Sequence, residues 1–209
     1  MSSRQMSSGE TAGKSADTRV WQRMLSGRRL DLLDPSPLDI EIADIAHGLA
    51  RVARWNGQTK GAHAFSVAQH SVLVERLVAD LSPRLSREAR LMALLHDAPE
   101  YVVGDLISPF KAAVGLNYKA LEDRLQMAVH LRFGLPAQIP PSLKILFKRA
   151  DHLSAYHEAV QLAGFEEDEA RRLFGAPPKA LKTPRLTPLS TAEAEAQFLA
   201  RFHRLYDVK

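Results

Sequence analysis

An apolar run ends in charge at Leu91-Met92-Ala93-Leu94-Leu95-His96-Asp97-Ala98-Pro99-Glu100. The leucines at helical spacing demand burial. An imidazole and a carboxylate at the end of the same run resist it, because buried polar groups are costly unless something satisfies them. A divalent cation satisfies both, since neutral imidazole and carboxylate are ordinary ligands for first-row metals. Two ligands do not make a site. His70 and Asp151 each lie on a separate helix by pattern, so three helices must converge if all four side chains meet. That is how a helical bundle builds a metal centre in its core. A lone histidine in a first turn, as His70 is, would ordinarily serve some backbone group, and only the four-ligand pattern overrules that reading. Glu100 follows His96 by one helical turn, so on a continuing helix it shares the face of the pair. Pro99 removes a backbone donor and ends or bends the helix there.

The rest of the chain reads as helical. Ile42, Ile45, Ala46, Leu49, Val52 and Ala53 follow the helical period and predict one helix over 42–55, closed by Gly57. Ser66-Val67-Ala68-Gln69 is a capping box opening a helix to about Leu81, and Ser86 caps the helix carrying His96. Tyr118 to Phe133 is amphipathic and stopped by Gly134 and Pro136. A further helix starts at Pro140-Pro141-Ser142 and ends at Gly164. Asp151 borders its apolar stripe, His152 points away from it, and Glu158 shares the side of Asp151. Residues 165–187 read as a connection, charged and solvated at Glu166-Glu167-Asp168-Glu169 and then proline-rich. Ser190-Thr191-Ala192-Glu193 caps a last amphipathic helix. An extended pairing of 30–33 with 38–42 is the one strand feature expected. His47 and His63 receive no ligand role. The expectation is an all-α helical bundle: residues 1–18 a Ser/Gly-rich disordered tail, and 19–209 one domain of ample core.

The order His70, His96-Asp97, Asp151 resembles the signature of the HD-domain metal-dependent phosphohydrolases. Val67-Ala68-Gln69-His70-Ser71, Leu94-Leu95-His96-Asp97-Ala98-Pro99-Glu100, Gly104-Asp105-Leu106 and Ser108-Pro109-Phe110-Lys111, with Arg54-Trp55 upstream, resemble the bacterial 5′-deoxynucleotidase branch. The deoxyadenosine-triphosphate hydrolases of phages look similar too. The resemblance covers roughly residues 38–163, with Gln69 where the deoxynucleotidases usually carry Glu. It implies metal ligands His70, His96, Asp97 and Asp151. Glu100 would position or deprotonate the attacking water, and Asp105 would assist or hold the sugar. Arg54, Ser108 and Lys111 would contact phosphate, and Trp55 would select against ribose. The expected cofactor is a single divalent ion, Mn²⁺, Co²⁺, Zn²⁺, Fe²⁺ or Mg²⁺.

The expected activity is release of phosphate from deoxyribonucleoside monophosphates. The alternatives are hydrolysis of deoxynucleoside triphosphates and a metal- or nucleotide-binding regulatory module without turnover. Retention of Glu100 and Asp105 beside the ligands speaks against the last. The chain has no cysteine, so thiolate ligands and disulfides are excluded, which is compatible with a reducing cytoplasm, the expected location. Its net charge is +4, yet the basic residues are scattered rather than interleaved with aromatics. The expected partner is therefore a small nucleotide, not a nucleic-acid polymer. No apolar run is long enough to suggest a membrane. The resemblance leaves room for a homodimer.

Overall fold

The computed structural model describes residues 20–106 and 117–207. An all-α bundle is what it shows, with strand confined to a small hairpin among the described residues. β1 (Trp21–Arg23) pairs antiparallel with β2 (Arg29–Asp31), Gln22 facing Leu30. Gly27, at φ 89°, turns the hairpin where an L side chain would be strained. The expected pairing of 30–33 with 38–42 does not occur. Leu30 is buried against the bundle from the hairpin, while Pro37–Asp39 is a single 3-10 turn capped by Ser36. Pro37 at its first position has no N–H to give a ladder.

The central element is α2 (Val67–Leu81), buried along most of its length. It packs against α3 (Arg87–Leu94), α6 (Pro141–Glu158) and α8 (Thr191–Tyr206). Glu75, in the middle of α2, is fully buried and paired with Arg90 of α3 and Arg201 of α8. One carboxylate thus ties three helices. α1 (Ile42–Leu49) lies against α4 (Glu100–Val103) so closely that a Cβ on Gly48 would stand 2.8 Å from Tyr101 Cβ and its carbonyl oxygen. α5 (Asn117–Arg132) contributes Leu125, Ala128 and Val129 to the core.

Three elements depart from the pattern read in the sequence. The helix expected over 42–55 stops at Leu49. Beyond it the backbone pairs with the segment before α2: Ala53 bridges Ser66, Arg54 N–H reaches Phe65 O at 2.8 Å, and Val67 N–H reaches Val52 O at 3.0 Å. A ladder claims the groups that a helix would have used. Arg54–Gly57 then forms one tight turn, with Trp55 and Asn56 in the left-handed region at φ 56° and 50°. Secondly, α3 ends at Leu94, and turns through residues 95–99 lead to α4, whose first residue is Glu100. The continuing helix that placed Glu100 by spacing does not exist: it gives way at Leu95, and Pro99, which has no N–H to offer Leu95 O, caps the next helix. Thirdly, the acidic run is not a bare connection. Glu166 and Glu167–Glu169 open α7 (Glu167–Phe174), where negative charge is favoured by the helix dipole.

The connection from α7 to α8 is held as a strap. Gln161 donates to Pro184 O and accepts from Leu186 N–H. Gln69 donates to Thr187 O and accepts from Leu189 N–H. The Ser66 capping box is consequently half formed: Ser66 accepts from Gln69 N–H, but the Gln69 side chain is spent on the strap. At Ser190 both halves of the box are present.

Candidate metal centre

His70 sits in the first turn of α2, which the Ser66 cap fixes against α6. His96 and Asp97 lie in the turn where α3 gives way to α4, and Asp151 is midway along α6. Four side chains from three segments converge. Asp97 Oδ2 is 3.3 Å from His70 Nε2 and 3.1 Å from His96 Nε2, and Asp151 Oδ1 is 3.3 Å from His70 Nε2. His70, His96 and Asp97 each offer a ligand atom within 4.8 Å of the others. Asp151 approaches from the side of His70.

The hydrogen bonds decide what fits between them. His70 Nδ1 is 2.7 Å from Glu158 Oε1, and His96 Nδ1 is 2.9 Å from Ala93 O. Both partners only accept, so both Nδ1 atoms carry the proton. The lone pairs of neutral imidazole then lie on Nε2. These two Nε2 atoms are buried and have no hydrogen-bond partner. They face carboxylate oxygens, acceptor toward acceptor. Only positive charge resolves that, a proton or a metal ion. The titration pattern carries the same message. Burial and Arg54 push the His70 pKa down, but Glu158, Asp151 and Asp97 more than offset them and hold it well above the ordinary histidine value. Burial raises Asp97, while His96 and His70 draw it well below the usual carboxylate range. An N/O donor set with each imidazole anchored through its far nitrogen fits a divalent cation.

Glu158 is the hub behind the cluster. It is fully buried and accepts from His70 Nδ1, from Ser154 Oγ at 2.7 Å, from Arg54 Nε at 3.2 Å and from Trp55 Nε1 at 2.8 Å. Burial opposes its ionisation, but Arg54 and His70 overcome that and hold its pKa far below the usual range. A wide π-type turn over Ala159–Ala163 follows immediately and ends at Gly164, with φ 80°. It lets Glu158 point inward and Gln161 reach the strap.

Arg54 also gives Nη1 to Asp105 Oδ2 at 2.9 Å. Two of its nitrogens are thereby committed to carboxylates, which makes it first a brace between Asp105 and Glu158. Trp55 packs on Phe165 and Phe174, at ring-centroid distances of 5.6 and 5.9 Å. Its left-handed backbone aims the indole N–H at Glu158. Glu100 is buried at the start of α4, 3% exposed. Ser108 and Lys111 lie outside the described residues.

Residues that spacing alone did not single out also reach the site. Ser154 sat on the apolar stripe of its helix, yet its hydroxyl donates to Glu158. Tyr118 read as part of the stripe of α5. Its pKa is raised, first by burial and then by the negative charge of Glu122, Glu100, Asp105 and Asp97. Gln69 turns away from the cluster to the strap. His47, His63 and His152 stay at the periphery, as expected. A cleft of about 740 Å³ opens from His96 and Asp97 between α5 and α6, within the usual size of small-molecule sites.

Comparison with known proteins adds the family. The HD domain matches residues 67–156, the span that carries His70, His96, Asp97 and Asp151. The uncharacterized protein RCAP_rcc00048 of Rhodobacter capsulatus is 60% identical over 190 residues, covering 90% of this chain and 96% of that protein. The uncharacterized protein YfdR of Escherichia coli is 30% identical over 171 residues, covering 82% of this chain and 87% of that protein.

Proposed function

The chain belongs to the HD-domain family, whose members are metal-dependent hydrolases, and from that premise we propose that it removes phosphate from deoxyribonucleoside 5′-monophosphates. The observation that carries the reading is the convergence of His70, His96, Asp97 and Asp151, with two buried Nε2 atoms facing carboxylates. These four side chains would hold one divalent ion, which supplies Lewis-acid polarisation of phosphate and acidifies water. The chain's own residues do the rest. Glu100 takes the proton of the attacking water. Glu158 keeps His70 in the tautomer that presents Nε2 to the ion. Arg54, braced by Glu158 and Asp105, directs positive charge toward the phosphate. The indole of Trp55 stands at the sugar and crowds a 2′-hydroxyl.

A second reading, hydrolysis of deoxynucleoside triphosphates, draws support from the volume of the cleft beside the cluster and from Arg124 and Lys144 in its mixed-charge lining. A phosphate-release screen separates the two. Deoxyribonucleoside monophosphates, ribonucleoside monophosphates and deoxynucleoside triphosphates are each incubated with Mn²⁺, Co²⁺, Zn²⁺ or Mg²⁺. Orthophosphate from the deoxy monophosphates is the expected result. Tripolyphosphate from the triphosphates alone would replace it with the second reading. Bound nucleotide without any product, under every metal, would make the chain a binding module.

A further inference from the structure

The cleft beside the cluster holds positive charge that the reaction above does not use. Arg124 lines it from α5 and Lys144 from α6. Arg124 Nε is buried without a hydrogen-bond partner. Among the described residues neither cation is held in an ion pair, whereas Lys119, in the same cleft, is bound to Glu122 at 3.2 Å and Asp123 at 2.6 Å. At the cluster itself Arg54 is already engaged by Glu158 and Asp105. A guanidinium donor left unmet is costly, and guanidinium and ammonium groups are the side chains suited to phosphate. Lys144 precedes Asp151 by two turns on the same face of α6, about 10 Å along the axis, so it stands beyond the phosphate at the cluster rather than on it.

We propose that Arg124 and Lys144 form a subsite for a second phosphate group of the substrate. The proposal rests on the nucleotide-phosphohydrolase reading and names the ligand that the same site would favour over a plain monophosphate, a nucleotide with at least two phosphate groups. Two sources carry that chemistry, a nucleoside 3′,5′-bisphosphate and a nucleoside triphosphate. In both, the oxygen of water bonds to the phosphorus next to O5′, the P–O5′ bond breaks, and a proton passes to O5′. The bisphosphate yields orthophosphate and keeps its 3′-phosphate in the cleft. The triphosphate yields tripolyphosphate, whose outer phosphates occupy it.

The test is calorimetric binding of dAMP, deoxyadenosine 3′,5′-bisphosphate and dATP in excess Mg²⁺, in a Glu100→Gln background that slows turnover. Either two-phosphate nucleotide should bind about tenfold or more tighter than dAMP. Arg124→Gln and Lys144→Gln should each remove that advantage and leave dAMP binding unchanged. Lys144 is exposed, so its substitution tests the subsite without threatening the fold. The tighter of the two ligands identifies the source. Equal affinity for all three nucleotides overturns the proposal, as does an advantage that survives both substitutions. A preference that disappears with both variants, in a protein that releases phosphate from no nucleotide, would leave the subsite standing and remove the proposed reaction.

Discussion

Glu100 and Trp55 show how far a single side chain can be placed from sequence. Spacing places Glu100 along a helix that in fact stops at Leu94, yet it still arrives buried at the head of α4, directly after the turn that bears His96 and Asp97. If it takes the proton of the attacking water, Glu100→Gln keeps the side chain's size and loses about 10²–10⁴-fold in kcat. Metal content measured by elemental analysis should remain that of the unmutated protein, whereas His96→Ala should lose metal and activity together. A Glu100→Gln protein that also loses its metal would make Glu100 a ligand. Trp55 has two tasks that the sequence did not separate. Its ring packs on Phe165 and Phe174, and its N–H holds Glu158. Trp55→Phe keeps an apolar ring and gives up the N–H and part of the bulk. Activity on ribonucleotides should rise relative to deoxyribonucleotides, and an unchanged ratio would confine Trp55 to packing.

At the scale of elements, the helices with a start signal were legible and the backbone irregularities were not. Ser66, Ser86 and Ser190 each accept the N–H that their cap positions foretold. The early stop of α1 follows from a bridge between Ala53 and Ser66, a tertiary pairing that no local pattern encodes. The π-type turn after Glu158 was equally silent, though Gly164 marked its end. Glu158 itself was visible as a residue on the face of Asp151. Ser154, one turn earlier on the same helix, is its local donor; the other three were not visible, because Arg54, Trp55 and His70 come from distant parts of the chain. The strap is the element whose logic appears only in three dimensions, since each glutamine that clamps it must both give and accept. Gln69→Glu keeps the acceptor for Leu189 N–H but sets a carboxylate against Thr187 O. Loss of that donor should cost about 1–3 kcal/mol of stability, read as a lower urea midpoint. Metal content should hold, because Gln69 faces away from the cluster. A loss of metal without a loss of stability would show that the strap, rather than the core, sets the position of His70.

For the molecule as a whole, buried polar groups decide how stability responds to acid. Glu75 joins α2, α3 and α8 through Arg90 and Arg201, and Glu158 joins α2 and α6 to the Arg54 turn. Arg54 and His70 hold the Glu158 carboxyl far below its usual range against the effect of burial, so that hub stays ionised at neutral pH. Two buried histidines respond to milder acid. His130 is fully buried on α5; its Nδ1 lies 2.8 Å from Pro136 O and therefore carries the proton, and its Nε2 has no partner. Burial lowers its pKa against the smaller opposing effect of that hydrogen bond. His157 is shifted the same way, again by burial. In the unfolded chain these imidazoles take up protons near pH 6.5. Below that value these two positions bind more protons in the unfolded state than in the folded one, so their contribution to stability is complete above about pH 6.5 and falls as pH drops toward the lowered folded values. Urea midpoints at pH 7.5 and pH 5.5, measured with a chelator so that proton competition for metal does not contribute, should differ in the unmutated protein. His130→Gln, which cannot titrate, should narrow that difference even though it lowers the midpoint at pH 7.5. The same fall in both proteins would mean that His130 is not the group that senses acid.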